Sequence, residues 1–547
     1  MGKKKKKYPK LSQKKKIKVK KVSKKELACL LERARSNSLT EDDCKQIKNM
    51  ADTIEYIITL LDQKDVHLKR VLKQILGIKT EKAKSLFKGG ENLKNKEEQK
   101  EKSTQKKKGH GRVGASSYTG AKHKFIKHET LNSGDSCIKC PNGKVYPLKE
   151  PGIFIHIEAQ PPIQANVYEL EKLRCNLCGE IYKAKLPLKV EEVNGESKYY
   201  DETAKSMMAI LRYGYGFPLN RLSNLQSNLG IPLPAATIWD KTEEMARKIR
   251  PVFESLKQYG AQGNIMFSDD TGVKILSSIK EIKQESKEGK KNRTGINTSG
   301  IVCKFDDDKD VALFFSGREH AGENLRDLLK KRDLGRDPPI TMSDAKSVNK
   351  IKDIEVIDCS CNVHARRKFV EVSENFPQEC EYVIVEVFKE IYKNDNVTRE
   401  MNKHDRLEYH KKHSAPIMDE FKKWLMAAFA EKKVEPNGSL GKAISYMLNH
   451  WDSLTKFLEV PGVPLDNNIC ERSLKMSIRH RKNSLFYKTL NGAYIGDMFM
   501  SLIQTCILNN INTFEYLNKL QIHSSEVHKN PSQWLPWNYM NELSKTS

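Results

Sequence analysis

NIMFSDDTGVKIL, residues 264–276, reads as a strand-like apolar run that delivers Asp269 and Asp270 at its end. The same form recurs in PPITMSDAKSV (338–348), where Asp344 follows a short strand. Between them lie GINTSGIVCKF (295–305) and VALFFSG (311–317), two further strand-like runs. In PGVPLDNNICERSLKMSIRHRKNSLF (461–486), Asp466 stands where a helix cap belongs and Glu471 falls in the second turn of that helix. Strands carrying two aspartates, joined by a helix carrying a glutamate, suit a two-metal phosphoryl-transfer site. Hard divalent cations want carboxylate oxygens. Two ions about 3.5–4 Å apart stabilise both the attacking and the leaving oxygen of an in-line displacement. Carboxylates gathered this closely raise one another's pKa, so the ions make the cluster tenable. Taken singly, the same residues have plainer readings. Asp269 can sit in a turn, Asp466 can be a cap and nothing more, and Glu471 can pair with Lys475 one turn on.

Working outward, 547 residues are too many for one hydrophobic core, and a multidomain α/β chain is expected. The apolar share, 38%, is low and the charged share, 31%, is high, which places the shortfall in solvated or disordered segments. A net charge of +27 points to a polyanionic partner, nucleic acid by default. A Lys- and Asn-rich bias from an AT-rich genome is the plainer source of the same charge. No apolar run approaches the roughly 18 residues of a membrane span. The lysine-rich start has no apolar stretch behind it, unlike a secretory signal. The expectation is a soluble, cytoplasmic chain, without a membrane partner, whose 12 cysteines stay reduced.

Residues 1–25 carry many lysines and no acid, the composition of a disordered basic tail. Residues 26–87 read as helical. Ile47, Ile54, Leu61, Leu68 and Ile75 recur every seventh position, with Ile58 and Leu72 on a neighbouring stripe that Asp65 interrupts. A 3.5-residue repeat keeps one seam facing a partner helix, so a coiled coil and a homo-oligomer are expected, with an intramolecular hairpin as the alternative. Residues 88–130 read as a linker, Gly- and charge-rich over 88–112. Residues 131–190 hold the pairs Cys137/Cys140 and Cys175/Cys178, with Asn142-Gly143 and Gly179 supplying turns. Two CxxC turns complete a four-thiolate structural Zn²⁺ shell, and the strand-like runs GIFIHIEA and NVYELEKLRC between them suggest a zinc ribbon. Buried free thiols or a redox pair are the alternative. Over 200–255, FPLNRLSNLQSNLGIPLPAATIWDKTEEMARKI reads as two short helices about a turn at Gly230, Pro232 and Pro234. That is a helix-turn-helix-like DNA-binding segment with Arg221, Lys241 and Arg247 as phosphate contacts, or an ordinary helical hairpin.

PLDNNICERSLK (464–475) followed by RHRKNSLFY (479–487) resembles the carboxy-terminal signature of the insertion-sequence-family-sixty-six transposases, a DDE class. The resemblance extends through FSDDTGVKIL, TMSDA, CNVHARRKF (361–369), both CxxC pairs, GYGFPLNRL, HGRVGA and GIKTEK, and so covers the chain from about residue 40 onward. It implies an RNase H-like catalytic domain over 256–508, with Asp269, Asp344 and Glu471 as catalytic ligands of Mg²⁺ or Mn²⁺. It also implies metal-dependent cutting and joining of double-stranded DNA, element ends and target alike, near the bacterial nucleoid and with room for helper proteins. Much of the family reads Asp-Glu-Thr at the first acid, whereas this chain has Asp269-Asp270-Thr271, so Asp270 is a second candidate there. The long interval from Asp344 to Glu471 implies a helical insertion at about 365–455, and 509–547 reads as a C-terminal helical region. Arg366 and Arg367 in CNVHARRKF, and Arg472, Arg479, Arg481, Lys482 and Asn483 after the glutamate, are the candidates for gripping DNA. Arginine binds phosphate bidentately, and the competing reading is a solvated basic helix face. His364 with Cys359 and Cys361 has poor spacing for a metal, and a structural histidine with buried thiols is the expectation. Two alternatives share most of these features: a catalytically idle DNA-binding regulator derived from a transposase, which metal-dependent nicking would exclude, and a nuclease of the same fold, which joining of cut ends to a target would exclude.

Overall fold

The computed structural model describes residues 199–546 apart from 289–292 and 352, most of 30–51, and the stretches 132–136, 144–146, 162–174 and 181–184. The basic tail, the seam residues beyond Ile47, the linker, and Cys137, Cys140, Cys175 and Cys178 lie outside the described residues. Two compact units divide the chain, Gly89–Gln164 and the remainder. In the smaller, Ser136 and Lys144 form an antiparallel bridge, and Gly134 N donates to Val145 O at 2.8 Å. In the larger, β1 (Lys172–Arg174) pairs antiparallel with β2 (Ile181–Lys183). Each CxxC pair is thus flanked in sequence by an antiparallel pairing.

The centre of the larger unit is a five-stranded sheet of order β5-β4-β3-β6-β7. β3 (Ile265–Gly272), β4 (Asn297–Lys304) and β5 (Asp310–Gly317) run antiparallel in turn, while β6 (Ile340–Ser343) and β7 (Ile357–Ser360) run parallel to β3. β4 is buried on both faces from Thr298 to Cys303, which is why its sequence runs apolar or small without alternation.

Before the sheet come α1 (Glu202–Ala209), α2 (Leu219–Asn228) and α3 (Ala235–Gly260); α4 (Leu276–Lys287) follows β3 and α5 (Ala321–Leu329) follows β5. After β7 the chain is helical, with α6 (Asn362–Val370), α7 (Lys403–His413), α8 (Ala415–Ala430) and α9 (Ser439–Asn449) preceding α10 (Asn468–Ser484), α11 (Leu490–Leu508) and α12 (Thr513–Ile522). One hydrophobic core takes in residues from Ala209 to Tyr539, including Met245, Phe253, Phe314, Phe369, Phe421, Phe499 and Tyr516.

The pair of short helices expected over 217–249 takes a different form. Gly230 makes the turn at φ +79°, but α3 is 26 residues long and sinks Met245, Ile249, Val252, Phe253 and Leu256 into the core beneath the sheet. The first turns of α3 lie nearer the surface, with Ala236 and Asp240 exposed. Lys241 and Arg247 pair with Glu244 (2.9 Å) and Glu243 (3.6 Å) on the same helix.

The outer edge of β5 is covered by α11 through side chains. Asp310, Ala312, Phe314 and Ser316 donate their N–H groups to Asn509 (3.2 Å), Thr505 (3.0 Å), Ser501 (2.9 Å) and Asp497 (2.6 Å). Four residues of helix rise about 6.0 Å and two residues of strand about 6.6 Å, so the two repeats stay in step over this length. An edge that would otherwise offer unpaired amides is thereby closed. No helix among the described residues is long and apolar enough to cross a membrane.

Candidate active site

The parallel pairing of β3 with β6 sets Phe267 opposite Met342, and two residues on from each stand Asp269 and Asp344. Asp269 lies in β3 opposite Gly300 of β4, and Asp344 is 5% exposed just past the end of β6. Glu471 arrives from α10, which crosses β3 and β4 on the same side as Asp269. Burial, joined by the charges of Asp344 and Glu471, pushes the Asp269 carboxyl up to about 6, against the backbone N–H of Asp270 and the cation of Lys346. Three carboxylates distant in sequence therefore act on one another across a single site.

α10 is held in place at four points. Asn467 Nδ2 donates to Ser268 O at 2.9 Å, and Cys470 Sγ to Gly300 O at 3.2 Å. Leu474 lies over Gly300, where an added Cβ would stand 2.8 Å from its Cγ. Arg481 Nη1 donates to Thr271 Oγ1 at 3.0 Å and to Gly272 O. Asp466 accepts from Asn468 N at 3.0 Å, which makes it the turn residue that starts the helix.

Asp344 is held by its own following turn. Asn349 Nδ2 donates to Oδ1, and Lys346 Nζ lies 2.7 Å from Oδ2. The carboxylate draws the Lys346 ammonium pKa upward. The turn can sit there because α5 carries Gly322, where a Cβ would meet Val348 O at 2.5 Å.

Asp270 faces the other way. Its Oδ1 accepts from Ser299 Oγ at 2.6 Å, and its Oδ2 accepts from Ala321 N at 3.0 Å and faces His320 Nδ1 at 3.1 Å. It is the anion at the N-terminus of α5, where helix dipole and free N–H groups favour one.

His364 and Cys361 enter the site from α6, Cys361 as its N-cap. His364 Nε2 lies 3.7 Å from Glu471 Oε1, and ligand atoms of Cys361, His364 and Glu471 lie within 4.8 Å of one another. Burial lowers the His364 pKa. Asn362 binds the two elements, its N donating to Leu465 O at 3.0 Å and its Nδ2 to Leu454 O at 3.0 Å. Cys359 points elsewhere, toward Ile357 O within β7. The partner of Glu471 is thus His364 on another helix, and no salt bridge joins it to Lys475 among the described residues.

The candidate DNA-gripping residues divide in two groups. Arg472, Lys475, Arg479 and Lys482 are exposed and fall at i, i+3, i+7 and i+10, one face of α10. Arg481 is spent on β3, and Asn483 donates to Gly216 O at 3.1 Å. Arg366 and Arg367 are half-buried on α6. Sequence reading missed Lys346, Asn349, Asn467 and the part of His364. The first two lie within a turn of Asp344, which was the available signal; the others are brought in by packing alone.

A family model described as Transposase IS66 family matches residues 198–495, a span that includes all three carboxylates. Two curated relatives are uncharacterized proteins of Sinorhizobium fredii. One, y4jD, is 26% identical over 347 residues, 61% of this chain and 65% of its own. The other, y4hP, is 24% identical over 336 residues, 56% of each chain. The chain therefore spans under two thirds of the length of these relatives.

Proposed function

Since this chain belongs to the IS66 family of transposases, we propose that it binds the ends of an insertion element, cuts them, and joins them to target DNA. One observation carries the reading: Asp269 is buried at the centre of the sheet, its carboxyl raised to about 6 with the charges of Asp344 and Glu471 bearing on it. A repulsive, oxygen-only donor set of this kind fits a hard divalent cation, Mg²⁺ or Mn²⁺, and little else. The strand order, three antiparallel strands followed by two parallel ones on the other side of the first, supports an RNase H-like domain with the α6–α9 region inserted before α10.

Bound divalent cation would activate the attacking hydroxyl and stabilise the leaving oxygen. The chain's own groups do the rest. Asn349 and Lys346 hold the Asp344 carboxylate in one orientation, and Asn467 and Arg481 fix α10 on β3 so that Glu471 meets the strand end. The exposed stripe Arg472, Lys475, Arg479 and Lys482 leads away from Glu471 and would neutralise backbone phosphates. Asp270 is assigned to the anchoring of α5. The four cysteines of the CxxC pairs are assigned to a structural Zn²⁺ on the spacing of their thiolates in the sequence. Self-association is assigned to the heptad seam that begins at Ile47.

Substituting Asp269, Asp344 or Glu471 with Ala should abolish Mg²⁺-dependent nicking and strand transfer on DNA bearing the element ends, while gel-shift binding to those ends survives. Full cleavage in any of the three variants removes that residue from the site. End binding without nicking by the wild-type chain would favour the idle-regulator reading.

A further inference from the structure

We infer that Cys361, His364 and Glu471 form a second metal site, one for a borderline-soft divalent ion such as Zn²⁺, beside the oxygen-only site. Glu471 Oε1 is buried without a hydrogen-bond partner among the described residues. At 3.7 Å the imidazole Nε2 and Glu471 Oε1 are too far apart to bond each other, yet too near to hold anything larger than an ion between them. A carboxylate oxygen buried without a donor is unfavourable, so a native fold is expected to fill the gap.

The donor set names the ion. Cys361 at the N-cap of α6 and His364 three residues on lie on one turn of helix, so their side chains meet. The Cys361 sulfur accepts from Asn467 N at 3.3 Å, which fixes its position at the start of the helix that carries His364. Thiolate and imidazole select Zn²⁺ or Co²⁺ and discriminate against Mg²⁺. A tetrahedral zinc needs these ligands about 3.4–3.6 Å apart. At 3.7 Å the histidine and glutamate atoms stand about 0.1–0.3 Å beyond that spacing, and with all three ligand atoms inside 4.8 Å the sulfur has at most about 1 Å to close. Three protein ligands are the complement of an open zinc site, whose fourth position takes water or an anionic oxygen, in contrast to the closed four-thiolate shell expected at the CxxC pairs.

The site stands on its own geometry. Its consequence for catalysis rests on the functional reading above: zinc engages Glu471 Oε1, so trace zinc should oppose Mg²⁺-supported cleavage.

The full-length chain, stripped by chelation under reducing conditions and reloaded with Zn²⁺, should retain one more zinc per chain than Cys361→Ser or His364→Ala after gel filtration. Glu471→Gln should bind that zinc at least about tenfold more weakly. With Co²⁺ in place of Zn²⁺, a sulfur-to-metal absorption component of the wild-type chain should be missing from Cys361→Ser, and lost with the metal from His364→Ala. Equal zinc content in wild type and both α6 variants overturns the proposal. Should the variants not fold, anomalous diffraction at the zinc edge from wild-type crystals grown with zinc decides. A peak between the three residues supports the site, and none overturns it. Zinc at this position in a chain that never cuts DNA leaves the site standing and removes the functional reading. Cutting by a chain that holds no zinc there does the reverse.

Discussion

Asp269 and Asp270 part company because successive residues of a strand point to opposite faces. One meets Asp344 and Glu471; the other meets Ser299, His320 and the first N–H of α5. Asp270→Ala should therefore cost about 1–3 kcal/mol in denaturant unfolding, through donors left unpaired, with the Mg²⁺ concentration needed for half-maximal cleavage unchanged. Asn349→Ala should leave stability nearly alone and raise that concentration roughly 10–100-fold, because it frees the Asp344 carboxylate. An Asp270→Ala chain whose metal requirement climbs as far as that of Asn349→Ala would reassign the first ligand. Asp269 itself sets a pH dependence. Its folded pKa, about 6, lies above the ordinary 3.8, so in metal-free protein the stability it leaves intact below about 4 is lost as pH rises through about 6. Divalent metal pairs with the charge and should abolish that loss, while its own affinity falls as pH drops below about 6. Thermal melts with and without Mg²⁺ across pH 4–8 read both effects, and identical curves would contradict the convergence of the three acids.

At the level of the element, α10 is the decisive piece, and it approaches the sheet only because β4 has no side chain at Gly300. A methyl there would stand 2.8 Å from Leu474 Cγ. Gly300→Ala should destabilise the fold by about 1–3 kcal/mol and reduce cleavage more than it reduces DNA binding, since the helix carrying Glu471 is displaced. Adding Leu474→Ala should restore part of both losses; a double variant no better than Gly300→Ala would show that the close approach does not position Glu471. The exposed face of the same helix carries a separate expectation. Replacing Lys475 or Lys482 with Ala should weaken binding to all DNA sequences alike and lower the salt-dependence slope by about 1 each. An unchanged slope would make the stripe a solvated face.

Across the whole molecule, one core joins the helices before the sheet, the sheet, and the C-terminal helices, so stability is shared among segments that sequence would divide into domains. Asp497 is fully enclosed between α11 and β5 and pushed by burial to about 7 although Ser316 donates to it twice. A folded pKa above the unfolded 3.8 means that the penalty is absent below about 4, grows as pH rises, and is complete above about 7. The expected size is on the order of a few kcal/mol. Asp497→Asn keeps an acceptor for Ser316 N and removes the charge, so it should be relatively more stable at pH 8 than at pH 5, flattening the profile measured by urea unfolding. A variant with the wild-type profile would remove Asp497 as its source.

Much of this was legible along the chain. The strands ending in Asp269 and Asp344, the helix bearing Glu471 and the helical run before it follow from apolar periods of two and 3.6, which the backbone imposes locally and any reader of the residues can count. The burial of α3 was not legible. A helical period shows in the pattern, but which of its turns sink into the core depends on what packs against them. Nor could neighbouring residues reveal that Asp270 anchors α5 or that Cys361 and His364 stand beside Glu471, whereas Lys346 and Asn349 lie close enough to Asp344 in the chain for their grip on it to be sought there. The first two relations join segments far apart in the chain. They are settled by close approaches such as Leu474 on Gly300 and α5 on the Asp344 turn, which depend on shape in three dimensions and leave no period behind.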